Sequence, residues 1–239
     1  MFIKQKQLIN ITLLVISLLY NKYSYSSEQE IDLKLLENYL NSINNLSFIF
    51  EQKNQDADKV IGWMQIAKPD KLRIEYKGSN DLIILANSFY LVLYKAKDDI
   101  ITSLSNDGPW NILTTQDIKI TTDINNLEAN AYVKNIKKHT LEDKNYTIYE
   151  VLLKNKANLF SKPIILYTSL DPFKLEGWKI DDHDNKQVII KITKVLNIND
   201  KNIDLDIFSL TEKQRLEGDV WFGPFEKKQL IRKPTNKRN

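Results

Sequence analysis

The sequence predicts a mainly β domain whose strands form one large antiparallel sheet, curled like an open barrel. Three observations predict this fold: many short runs of alternating hydrophobicity, turn residues at regular spacing between them, and one amphipathic stretch near the N-terminal end. The length of 239 residues and the hydrophobic share of 42% suit one soluble domain, or at most two.

The N-terminal end has the pattern of a secretory signal peptide. Two lysines precede an apolar stretch at 8–20, and small residues follow it, so we expect cleavage after Ser26. The alternative is an uncleaved anchor that would hold a structural scaffold to the membrane. Removing residues 1–26 lowers the formal net charge from +3 to 0, since three lysines and no acids leave with them. The mature chain therefore carries no overall charge signature of nucleic-acid binding.

Three segments follow from this division. They are a signal peptide at 1–26, a folded domain at 27–225 and a basic tail at 226–239. The tail is interpreted as a disordered, solvated end, with weak attraction to an anionic membrane surface as the alternative.

The elements of the domain can be placed from their periodicity. An amphipathic helix is predicted over Glu28–Asn44, because its apolar residues recur at helical spacing. Short helices are predicted at Pro109, with Asp107 as the cap, and over Asp123–Ala131. Strands are predicted at 46–52, 62–68, 72–76, both arms of 81–96, 132–137, 146–154, 164–170, 177–181 and 188–195.

The hairpin at 81–96 is apolar on both faces, with its turn at Asn87 and Ser88. Antiparallel strands usually bury one face and leave the other in water. Both faces of this part of the sheet should therefore be covered. The N-terminal helix can cover one of them, and a further segment must cover the other.

The residue inventory argues against most catalytic chemistry. The chain has no cysteine, which excludes disulfides, thiol catalysis, thiolate metal sites and lipidation of the chain itself. Its two histidines, His139 and His183, lie in predicted turns without a nearby G-x-S-x-G motif. The aspartates beside His183 lack the glycine and glutamate of a calcium loop. We expect no cofactor and no metal, and an envelope hydrolase is the less favoured alternative.

Several local motifs resemble, in their order, the family of the periplasmic lipoprotein carrier LolA. They are Phe50 and Gln52 in "FIFEQ", Gly62 and Lys68-Pro69 in "GWMQIAKPDKLRIEY", "IILANSFYLVLYK" at 83–95, "GPWNIL" at 108–113 and Phe208 in "DIFSL". The resemblance runs from about Leu33 to Phe208.

This resemblance implies a half-barrel sheet with a lid of short helices over an apolar cavity. It implies a monomeric periplasmic carrier that takes acylated lipoproteins from an inner-membrane ABC transporter to an outer-membrane receptor, and catalyses nothing. The alternative within this fold is a carrier or sensor of another lipid or lipophilic molecule.

The resemblance also assigns roles to residues. It implies that Lys68, which replaces a usual arginine, latches the lid through backbone carbonyls, and that Leu72 contacts a partner. A solvated lysine at the end of the strand is the alternative for Lys68. An ordinary filled core is the alternative to a cavity. The residues predicted to line the cavity are Phe50, Met64, Ile66, Leu72, Ile74, Ile83, Leu85, Leu91, Leu93, Trp110, Ile112 and Leu113.

Overall fold

The computed structural model describes residues 28–55, 58–77, 82–88, 90–95, 100–105, 108–141, 144–154, 159–181, 184–210 and 224. The predicted signal peptide, the basic tail, Asp107 and His183 lie outside these residues. Among the described residues, no helix is both long and apolar enough to cross a membrane.

The chain forms one 12-stranded sheet, open and curled, which confirms the predicted fold class. Helix α1, over 28–42, precedes it. The strands are β1 Asn45–Asn54, β2 Val60–Ala67, β3 Lys71–Tyr76, β4 Leu82–Ala86, β5 Tyr90–Lys95, β6 Ile100–Ser105, β7 Ile120–Thr121, β8 Ala131–Leu141, β9 Lys144–Leu153, β10 Ile164–Leu170, β11 Phe173–Asp181 and β12 Gln187–Ile198. Helix α2, Asn111–Thr114, lies between β6 and β7, and a turn of 3₁₀ helix, Leu205–Phe208, follows β12.

The strand order explains why α2 lies where it does. The order is β6-β5-β4-β3-β2-β1-β12-β11-β10-β9-β8-β7, so β6 and β7 are the two edges of the sheet. Neighbours pair antiparallel except β7 and β8, which pair parallel. Because β6 and β7 follow one another in the chain, their connection must pass from one edge to the other. That connection carries α2.

The register places alternate residues of the first strands on a common face. Phe48 pairs with Met64, which pairs with Ile74, which pairs in turn with Ile84. We call the side that carries these residues the inner face and the opposite side the outer face. Helix α1 packs on the inner face, where its Leu36 and Leu40 join the main apolar cluster together with Ile43, which follows its last residue.

Two predicted short helices differ from the observed structure. Helix α2 begins at Asn111 rather than at Pro109, and Trp110 occupies its N-cap position. Residues 123–131 contain no helix and form turns instead. The side chains of Asp123 and Asn126 accept hydrogen bonds from backbone N–H groups two residues later. Such short polar side chains stabilise turns in competition with a helix.

Candidate functional site

The inner face is a continuous apolar surface beneath the two helices. Ten of the twelve predicted lining residues belong to its cluster or pack against it. They are Phe50, Met64, Ile66, Leu72, Ile74, Leu91, Leu93, Trp110, Ile112 and Leu113. The side chains of α1 and α2 fill the space over the strands, so this face forms a closed core in the structure.

Leu72 lies deep in this core. Its exposed fraction is 0%. A partner could contact Leu72 only after the covering helices had moved.

Ile83 and Leu85 do not belong to this face, and their prediction as lining residues is wrong. They form a separate cluster with Tyr94 on the outer face. The register gives the reason: Ile74 pairs with Ile84, and Leu72 pairs with Ala86. The even-numbered residues of β4 therefore point inward, and the odd-numbered ones point outward.

Aromatic side chains pack closely together on the inner face near β1 and β2. The ring of Phe50 lies directly over Gly62, so close that an added Cβ at Gly62 would come within 2.2 Å of it. Tyr76 packs edge-on against Phe50, and its hydroxyl donates a 2.8 Å hydrogen bond to Gln52. Burial raises the pKa of Tyr76 to about 12. The motif residues Phe50, Gln52 and Gly62 thus form one packed unit.

The side chain of Lys68 contacts α1 rather than α2, the helix predicted to form the lid. Its Nζ donates a 2.7 Å hydrogen bond to the carbonyl of Leu40, in the last turns of α1. Burial lowers the pKa of Lys68, and the charge of Asp117 opposes that shift. Helix α2 is held by the same turn in another way, because the backbone N–H of Asp70 donates to the carbonyl of Thr114 at 2.8 Å.

Further hydrogen bonds fix the C-terminal part of α1 to the sheet. The Asn41 side chain forms two 2.8 Å hydrogen bonds with the backbone of Ile118, one donated and one accepted. The side chain of Asn199 donates to the carbonyl of Ser42 and accepts from the N–H of Asn44. These contacts are polar and therefore directional, whereas the packing of α1 against the strands is apolar.

The outer face of β2 to β5 is covered by the segment that follows β12. Trp63 and Ala67 pack against Ile207 and Phe208 of the 3₁₀ turn, and Leu210 packs against the cluster of Ile83, Leu85 and Tyr94. The hairpin at 81–96 is apolar on both faces, and this segment covers the face that α1 does not cover. The motif residue Phe208 therefore belongs to the outer cover.

A buried ion pair lies beneath this cover. The Nε of Arg73 donates to Glu75 at 2.7 Å, and its Nη1 donates to the carbonyl of Ile207 at 2.7 Å. Arg73 is 0% and Glu75 1% exposed. The sequence analysis assigned these residues no role, since charged residues that alternate with apolar ones are typical of the solvated side of a strand. The signal it could have used was the neighbouring hairpin, whose outward residues are apolar.

Of the two histidines, His139 lies in the described part of the chain and His183 does not. His139 is exposed in β8, where it pairs with Tyr146, and it does not lie in the turn predicted for it. Within the described residues no group of acidic or histidine side chains is arranged to hold a metal ion.

Solved structures with a similar fold include three bacterial proteins. A LolA superfamily protein of Nitrosomonas europaea is 8% identical, with a TM-score of 0.40 over 74% of this chain and 97% of its own. An uncharacterized conserved protein of Thermus thermophilus is 9% identical, with a TM-score of 0.45 over 79% and 96%. A putative outer membrane lipoprotein-sorting protein domain of Vibrio parahaemolyticus is 8% identical, with a TM-score of 0.41 over 81% and 97%. These values are too low to indicate a function.

Comparison with curated proteins found no match. The sequence profile of a family gives the decisive result. The profile of the outer membrane lipoprotein carrier protein LolA matches residues 41–211, which include the sheet, both of its edges, α2 and the 3₁₀ turn. Members of that family are periplasmic carriers rather than enzymes. The chain belongs to the LolA family of outer membrane lipoprotein carriers.

Proposed function

We propose that this protein carries lipoproteins across the periplasm by binding their acyl chains on its inner face. It takes them from an inner-membrane ABC transporter and delivers them to an outer-membrane receptor, and it reaches the periplasm by means of its N-terminal signal. The observation that carries this proposal is the continuous apolar inner face beneath two helices, one of which is attached near its C-terminal end by a hydrogen bond from Lys68.

The chemistry of this face suits an acyl chain. Apolar burial is non-directional, so an alkyl chain can replace the side chains of α1 and α2 against the strands without any matching polar group. Each methylene removed from water contributes about 0.8 kcal/mol, and a whole chain contributes on the order of 10 kcal/mol.

Release requires that this binding be moderated. When the covering helices must leave the inner face before the chain can bind, the apparent affinity falls by the free energy of that opening. The hydrogen bond from Lys68 to Leu40 is one contribution to it. A closed resting state thus provides a carrier that holds its cargo yet can pass it on.

A transfer assay tests the proposal. Mature protein is mixed with right-side-out inner-membrane vesicles that are loaded with ATP and carry an acylated lipoprotein on their outer surface. Matched vesicles carry the same protein with its lipidated cysteine replaced by serine. We expect only the acylated form to appear in the soluble fraction as a 1:1 complex. Retention of both forms in the membrane would contradict the proposal.

Native mass spectrometry of the protein purified from an envelope extract identifies its natural ligand. Acylated lipoprotein would support the proposed function. Free phospholipid or fatty acid as the sole ligand would favour a carrier or sensor of another lipophilic molecule on the same fold.

A further inference from the structure

Helix α1 is not seated evenly on the inner face. In its C-terminal half, Leu36 and Leu40 are fully buried. In its N-terminal half, Ile31 is 60% exposed and Leu35 is 40% exposed. The polar contacts of this N-terminal half, made by Tyr149 and Lys138, go to β9 and β8 rather than to β7. The N-terminal half therefore has the weaker attachment along the side that faces β7.

A groove of about 570 Å³ runs along that side of α1. It is lined by Glu30, Ile31, Leu33, Lys34, Glu37 and Ile120. Leu33 and Ile120 both pack against the main apolar cluster, so the floor of the groove is continuous with the inner face. Its volume lies within the range of pockets that hold small ligands.

One hydrogen bond crosses the inner end of this groove. The backbone N–H of Ile120 in β7 donates to the carboxylate of Glu37 in α1 at 2.8 Å, and Lys34 pairs with the same carboxylate at 2.7 Å. Burial acts to raise the pKa of Glu37, but these two donors outweigh it and hold that pKa below its usual value. Glu37 therefore stays charged at neutral pH and keeps α1 against β7.

We propose that the acyl chain passes to the inner face through this groove, between the N-terminal half of α1 and β7, and that Glu37 is the positioning residue that holds the passage closed. The inference rests on the proposed function and names the route that the cargo takes. Ile31, Leu33 and Ile120 offer apolar contacts outside the core, so the chain finds them before any helix has moved.

The opposite side of α1 does not fit this role. The groove there is about 200 Å³ and is lined by Glu28, Gln29, Asp32, Ile136 and Lys138. Lys138 pairs with Glu28 at 2.7 Å and with Asp32 at 3.1 Å. An alkyl chain on that side would meet one apolar lining residue, Ile136, whereas the larger groove offers three.

The absence of cysteine from the chain allows a direct test. Ile31→Cys is labelled with an environment-sensitive fluorophore, and Leu104→Cys on edge strand β6, 47% exposed, is the matched control. Both proteins are titrated with a palmitoylated peptide and with its unacylated form. We expect a blue shift at position 31 with the acylated peptide alone, and none at position 104.

The outcomes separate the route from the function. Binding of the palmitoylated peptide, measured by calorimetry, without any response at position 31 would overturn the route and leave the proposed function standing. No binding to the unlabelled protein would overturn both.

A second pair of variants tests the closing role of Glu37. Glu37→Ala removes the acceptor for the N–H of Ile120, whereas Glu37→Gln keeps an oxygen there. We expect the association rate of the palmitoylated peptide to rise about fivefold in Glu37→Ala, as expected for one hydrogen bond, and to change less in Glu37→Gln. Equal rates in wild type and Glu37→Ala, with both proteins folded by circular dichroism, would overturn that role.

Discussion

The two faces of strands β2 to β4 are both covered, but by different chemistry. On the inner face, Met64, Leu72 and Ile74 lie in one apolar cluster with side chains of both covering helices. On the outer face, Arg73 and Glu75 form a buried ion pair, and Arg73 also binds one backbone carbonyl of the segment that covers it. Adjacent residues of a single strand therefore supply the two kinds of surface.

This difference separates an exchangeable cover from a fixed one. An apolar surface accepts any alkyl group of suitable shape, because the hydrophobic effect has no direction. A buried guanidinium requires its acceptors at fixed places, and an acyl chain offers none of them. We therefore expect cargo to displace the inner cover, and the outer cover to remain in place during transport.

Arg73→Met should have the largest effect, because it removes the guanidinium that pairs with the buried carboxylate of Glu75. Loss of one member of a buried pair costs about 3–5 kcal/mol, a large share of the stability of a typical domain. Urea unfolding followed by circular dichroism measures the change. The control is Arg73→Met with Glu75→Leu, which removes both charges and should recover most of the loss. A loss below about 1 kcal/mol in the single variant would contradict the fixed character of the outer cover.

Gly62→Ala should have the next largest effect, this time on the inner face. The added Cβ would lie 2.2 Å from the ring of Phe50, so the ring must move within a filled core. Overpacking of this kind costs about 1–3 kcal/mol. Phe50→Leu introduced with Gly62→Ala gives room for the new methyl group, so the two changes should be coupled in a double-mutant cycle. Additive losses in unfolding free energy would show that the ring does not limit position 62.

The comparison of the faces also shows what sequence could predict. The alternation of apolar and polar residues in β2 and β3 correctly predicts which of their residues share one face, because the two strands pair in a single register. The same pattern could not place Ile83 and Leu85, because β4 is apolar on both sides. It has no polar residues at alternate positions to indicate which side faces outward. The partner of Lys68 also could not be predicted, since it depends on where the end of α1 lies over the turn at 68–70.

The pairing of Arg73 with Ile207 lies beyond sequence reasoning for another reason. The two residues are 134 positions apart. Nothing local to β3 indicates that the segment after β12 returns to its outer face. Only the sheet order, in which β1 lies between β2 and β12, brings the end of β12 near β2 and β3.

Lys68→Leu should weaken the attachment of the inner cover by about 1 kcal/mol, as expected for one hydrogen bond. Opening then costs less, so the apparent affinity for a palmitoylated peptide should rise about fivefold, and release to an acceptor should slow. Calorimetry and a transfer assay measure the two quantities. Lys68→Arg keeps a donor for the carbonyl of Leu40 and serves as the control. Unchanged affinity and release in Lys68→Leu would mean that apolar packing alone keeps α1 closed.

Lys138→Gln should have the smallest effect, because the ammonium of Lys138 is partly exposed and such pairs contribute less than about 1 kcal/mol. The hydrogen bond to Glu28, together with Asp32, raises the pKa of Lys138. A base whose pKa is raised on folding stabilises the protein fully below its unfolded pKa, near 10.4, and loses that contribution as the pH rises through the folded value. The difference in unfolding free energy between wild type and Lys138→Gln should therefore be present at pH 8 and shrink progressively as the pH rises above about 10.4. A difference that stayed constant as the pH rose would mean that Lys138 acts through the packing of its aliphatic stem. The charge of Lys138 would then contribute nothing to the attachment of the N-terminal half of α1 to β8.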